Sequence, residues 1–89
     1  MIRSVESPGF QRALKKLIKG KPEMRDTFRD TLSLFLREPY HASLETHKLH
    51  GKLKHSLAFS LTAHLRVVFS FLSSDVVLLE DIGTHDEVY

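Results

Sequence analysis

Along this chain of 89 residues the spacing of apolar positions changes once, and the change separates two kinds of structure. Phe10, Ala13, Leu14, Leu17 and Ile18 fall at i, i+3, i+4, i+7 and i+8, the stripe of a one-sided helix. Arg12, Lys15, Lys16 and Lys19 occupy its other face. Ser7 is placed to cap this helix, Pro8 suits its first position, and Gly20 is expected to stop it. Pro22 restarts a second helix, with Glu23 and Asp26 where the helix dipole favours acids. Met24, Phe28, Leu32, Phe35 and Leu36 form its core stripe, and Pro39 ends it. The short Gly20-Lys21-Pro22 link makes the pair an αα-hairpin. Ahead of it, Met1–Val5 reads as extended on the strength of Ile2 and Val5 alone.

After a polar bridge, Tyr40–His47, the period drops to two. Residues 56–62 alternate as a half-buried strand. Leu65, Val67, Phe69 and Phe71 repeat the alternation, with Arg66, Val68 and Ser70 opposite. Ser73-Ser74-Asp75 is turn chemistry, and Val76–Leu79 opens a candidate central strand running to Ile82, which Gly83 is expected to break. The expected fold class is therefore α+β: a first strand, a two-helix hairpin, then an antiparallel sheet in the C-terminal half, with the helices on one sheet face. One domain, residues 1–89, is expected from the length.

Composition removes several classes. There is no cysteine, so neither a disulfide framework nor a thiolate zinc site is available. The N-terminal MIRSVESPGF has no apolar signal core, and no run approaches the ~20 residues that span a bilayer, so a cytoplasmic protein without membrane partners is expected. Net charge is only +2, but its distribution is uneven. His47–His55 reads HKLHGKLKH, with lysines and histidines and no acid, which suits contact with an anionic partner and equally suits a solvated loop.

All 6 histidines lie from residue 41 onward, at 41, 47, 50, 55, 64 and 85. His47 and His50 at i, i+3 lack a third ligand at a diagnostic spacing, so no metal or other cofactor is expected. The other use of histidine is proton transfer near neutrality. Cleaving RNA through its 2′-OH needs a base, an acid for the leaving 5′-oxygen, and cations for the developing charge. Histidines can fill the first two roles, and Lys48, Lys52, Lys54 and Arg66 the third. The structural alternatives are plain: Arg66 as the outward residue of a strand, His64 as the start of that strand, His41 and His55 as surface polar groups. Tyr89 is either a base-stacking aromatic or a packed terminus.

Three stretches together, THKLHGKL (46–53), HLRVVFSF (64–71) and DIGTHDEVY (81–89), resemble the RelE/ParE superfamily of toxin–antitoxin toxins, over essentially the whole chain. The YafQ-like and RelE-like messenger RNA interferases are the most similar subgroup. The resemblance implies a ribosome-dependent mRNA endonuclease acting in the A site, metal-independent, and held inactive by a cognate antitoxin, with operator DNA reached only through that antitoxin. It implies a catalytic role for His47 and a general-acid role for His85. The family's His and Asp on the strand hairpin align with Ser60 and His64, so His64 is expected to compensate. The RelE-like arginine and terminal tyrosine align with Arg66 and Tyr89, while the RelE-like strand lysines are replaced by Leu57 and Phe59. The catalytic set expected is thus His47, His64, Arg66 and His85, with RNA contacts from Lys48, His50, Lys52, Lys54 and Tyr89. Two rivals stand beside it: a ParE-like inhibitor of DNA gyrase without nuclease activity, and a non-toxic member that only pairs with an antitoxin.

Overall fold

The structure, a computed structural model, describes residues 1–51 and 54–89. Strand β1 (Arg3–Glu6) leads into helices α1 (Pro8–Gly20) and α2 (Met24–Arg37). A single 3-10 turn (Ala42–Leu44) follows, then β2 (His47–Lys48), β3 (Leu57–Ser60), β4 (Leu65–Ser73), β5 (Val76–Thr84) and helix α3 (His85–Val88). The strands form one sheet in the order β1-β5-β4-β3-β2. The β2–β3, β3–β4 and β4–β5 pairings are antiparallel, as expected for β3–β5. Strand β1 instead joins the edge parallel to β5, Val5 opposite Leu78.

The first helix starts as its sequence directs. The Ser7 hydroxyl accepts the Phe10 N–H (3.0 Å) and donates to the Glu80 carbonyl (3.1 Å), so one side chain caps α1 and ties it to β5. Gly20 is the last residue of the helix, and Lys21 N–H closes the end on the Leu17 carbonyl. Pro22 and Glu23 form a turn before α2, which begins at Met24. The second helix is seated by aromatic packing. Phe35 stacks on Phe59 of β3 at 4.3 Å between ring centroids and meets Phe69 of β4 edge-on at 4.7 Å. Phe10, Leu44, Val67, Val77, Leu79 and Ile82 complete this core on the helix side of the sheet.

Within the polar bridge, Leu44 drops into the core at 2% exposure, and His47–Lys48 adds an edge strand. Three expectations need correction. Strand β3 is not half-buried. Leu57 and Phe59 face the helices, while Ala58 on the other face is covered by Leu49, Val68 and Val88. Gly83 does not break β5, which runs on to Thr84. Phe71, aligned with the inward residues of β4, is 38% exposed, because the β4 register shifts against β5 on both sides of it.

Candidate active site

The sheet face opposite α1 and α2 carries the candidate site, and its frame follows from strand register. Across β2, β3 and β4, His47 pairs with Ala58 and Ala58 with Val68. Two residues along, Ser60 pairs with Arg66, and Arg66 with Gly83. Partners in register share a face, and alternate residues return to it, so His47, Ser60 and Arg66 belong to one surface. The chain end closes one side of this surface. Val88 of α3 packs with Leu49, Ala58 and Val68, bringing the C-terminus and the segment after His47 onto the same small apolar cluster.

His47 is exposed, and its Nδ1 lies 2.9 Å from the Glu45 carbonyl oxygen. A carbonyl only accepts, so the neutral ring carries its proton on Nδ1 and presents the Nε2 lone pair outward. That is the protonation state a general base requires.

Arg66 is partly buried, and its guanidinium serves two purposes. Nη1 donates to the carbonyls of Thr62 (3.0 Å), Leu65 (3.2 Å) and Ala63 (3.4 Å), clamping the β3–β4 turn. The Thr62 hydroxyl reinforces that turn by accepting the N–H groups of His64 and Leu65. Nε and Nη2 take no partner among the described residues, leaving donors for an anion. His64 is exposed in the turn itself, off the end of the strand, two residues before Arg66.

The terminal segment is ordered by a capping box. Glu87 Oε1 accepts the Thr84 N–H (2.8 Å), and the Thr84 hydroxyl accepts the Glu87 N–H (3.3 Å). The two Thr84 hydrogen bonds hold the Glu87 carboxyl below its ordinary range, with a smaller pull from Lys16. Glu87, although exposed, therefore has a structural role as the acid of the cap. Within α3, the His85 and Tyr89 rings meet edge to face at 4.4 Å. Asp86 Oδ1 lies 3.5 Å from His85 Nδ1, an ion pair when the ring is protonated. Partial burial pushes the Tyr89 phenol up from its ordinary value, against the opposing pull of the Arg66 guanidinium. The tail is thus folded on the sheet with Tyr89 in electrostatic reach of Arg66, and His85 is linked to that pair through the Tyr89 ring.

Not every expected residue joins this group. Lys48 is exposed on β2 opposite Leu57, and His50 and Lys54 are exposed in the loop that follows. Lys52 lies outside the described residues. Among the described residues no hydrogen bond or ion pair joins His47 to His85, and no three His, Asp or Glu side chains converge as a metal-binding group. Sequence reasoning passed over Glu45, whose carbonyl orients His47 and whose Oε1 accepts the Ser60 hydroxyl at 3.0 Å. It also passed over the Thr84–Glu87 box, although T-x-x-E is a recognisable capping pattern.

A second surface lies on the outer side of the helices. A groove of about 530 Å³ runs between α1 and α2, lined by Leu14, Ile18, Phe28, Leu32 and Leu36, with Arg25 and Arg29 at its rim. No helix of the described chain is long and apolar enough to cross a membrane.

No protein-family model and no curated protein sequence matches the chain. Solved structures do match it in three dimensions. A metal-bound toxin from Helicobacter pylori superposes with a TM-score of 0.82 at 23% identity, covering 100% of both chains. In the Escherichia coli DinJ–YafQ toxin–antitoxin complex, the matching chain gives 0.78 at 16% identity over 99% of this chain and 97% of that one. A YoeB/ParE toxin from Agrobacterium tumefaciens gives 0.78 at 15% identity over 94% of this chain and 99% of its own. At these identities the likeness is one of architecture, and it spans the strand, the helical hairpin and the sheet alike. The chain has the fold of the RelE/YafQ-like toxins.

Proposed function

We propose that this chain is the toxin of a toxin–antitoxin pair and cleaves messenger RNA on the ribosome by histidine acid–base catalysis. The observation that carries the proposal is the hydrogen bond from His47 Nδ1 to the Glu45 carbonyl, on the sheet face that also bears Arg66. It leaves an outward Nε2 lone pair as a base on the same sheet face as a cation with free donors.

In the reaction, His47 Nε2 takes the proton of a ribose 2′-OH, and the oxygen attacks the adjacent phosphorus. Arg66 Nε and Nη2 stabilise the charge that grows on the phosphoryl oxygens, with His50 and Lys54 of the following loop holding the flanking backbone. The bond to the leaving 5′-oxygen breaks, and His85, as imidazolium beside Asp86, supplies its proton. The products are a 2′,3′-cyclic phosphate end and a 5′-hydroxyl end. Tyr89, kept a neutral phenol, offers an aromatic edge to a base. Proton transfer and charge stabilisation both come from side chains, so no metal takes part.

The partner is an antitoxin protein, as DinJ is for YafQ. The groove between α1 and α2 gives such a partner an apolar seat away from the histidines. The protein acts in the cytoplasm, where its ribosomal target lies.

Induction of the gene without its antitoxin is expected to arrest growth, with primer-extension stops inside translated codons. Growth arrest through DNA-damage signalling with intact mRNA is the outcome of the gyrase-inhibitor alternative and would overturn the proposal.

A further inference from the structure

We infer that Glu45 is a positioning residue that sets the tautomer and orientation of His47, and that buried Ser60 is the anchor that holds Glu45 in place. The inference rests on the nuclease reading for its catalytic meaning, but the geometry stands by itself. Glu45 is the one non-glycine among the described residues with positive φ (51°), in the left-handed region that glycine or asparagine usually fills at the end of a helical turn. A glutamate has no intrinsic preference for that region, so something beyond the local chain must hold it.

Three attachments hold it. Leu44, the preceding residue, is fixed in the core. Thr46, the following residue, donates its hydroxyl to the Pro39 carbonyl at 2.6 Å. Between them, the Glu45 carboxylate accepts the hydroxyl of Ser60, a residue only 9% exposed on β3. The Glu45 carbonyl is thereby aimed at His47 Nδ1. The carboxylate and carbonyl of one residue thus link β3 to the candidate base on the edge strand β2.

This assignment also explains Ser60. Read by resemblance, serine stands where an acid–base histidine is expected and looks like a loss. In the fold its hydroxyl serves Glu45, the residue whose carbonyl meets His47, and Ser60 takes no part in proton transfer itself.

Ring ¹⁵N spectra of the full-length protein, recorded above the imidazole pKa, test the inference without any RNA. Wild-type His47 is expected as the Nδ1–H tautomer. Ser60→Ala and Glu45→Ala should shift it towards Nε2–H, whereas Glu45→Gln, which keeps an acceptor for Ser60, should restore the wild-type pattern. In ribosome-bound cleavage the two alanine variants should lose about ten- to a hundredfold in rate with ribosome binding unchanged. An unaltered His47 tautomer in both alanine variants, or an Nε2–H ring in the wild type, would overturn the inference. A wild type that shows the expected tautomers yet never cuts mRNA contradicts the nuclease reading and supports the hold of Glu45 on the ring.

Discussion

Gly83 lies directly beneath Glu87: a Cβ built on this glycine would sit 3.0 Å from Glu87 Oε1, 3.1 Å from its Cβ and 3.2 Å from Val88 Cγ1. The glycine is present because α3 folds back onto β5 at this point, and not because the strand ends there. Gly83→Ala must push the capping glutamate and Val88 outward together. The expected cost is about 1–3 kcal/mol, as for other overpacked sites. A urea titration of the variant should show a lower midpoint with unchanged slope, and an unchanged midpoint would contradict the close packing of α3.

The capping box also predicts an acid response. The folded-state pKa of Glu87 is lowered, so its contribution to stability is fully present above the unfolded value of 4.5. It is lost as the pH falls through the lower, folded value. The terminal helix should therefore loosen at a pH below 4.5 while the sheet core stays intact, visible as faster hydrogen exchange at the amides of Thr84, Glu87 and Tyr89. Glu87→Gln should abolish most of this pH dependence.

Phe35 connects α2 to two strands at once, through Phe59 and Phe69. Removing its ring leaves a cavity at the centre of the core, and Phe35→Ala should cost about 3–5 kcal/mol. Against a total stability of about 5–15 kcal/mol, that brings the domain close to unfolding at 37 °C. Thermal denaturation by circular dichroism checks it; a change below about 1 kcal/mol would place the centre of the core elsewhere.

Chelation separates histidine catalysis from metal catalysis. With proton transfer assigned to His47 and His85, RNA cleavage should survive dialysis against EDTA with its rate unchanged. A loss restored by added divalent metal would require a metal in the reaction.

Helices α1 and α2 were readable because each carries a complete apolar stripe and its own stop signals, and because Ser7-Pro8 is unambiguous start chemistry. Strand β4 was readable from its alternation over Leu65–Phe71, and β5 from the continuous apolar run Val76–Leu79. Strand β2 was not, since two exposed residues on an edge have no periodicity to show. The burial of Ala58 was hidden because its cover, Val88, comes from thirty positions later in the chain. For the candidate site, His47, Arg66, His85 and Tyr89 could be proposed from residue type and resemblance. Glu45 could not, because its role depends on a left-handed backbone and on a serine fifteen residues away, neither of which leaves a local pattern.

The central claim, that histidines on this sheet face cut mRNA, is tested most directly by a cleavage assay on programmed ribosomes with the wild type, His47→Ala and His85→Ala. The wild type should cut within the codon at the A site, and each variant should lose about 10²- to 10⁴-fold in rate while remaining folded. Cleavage by both variants at the wild-type rate would contradict the account.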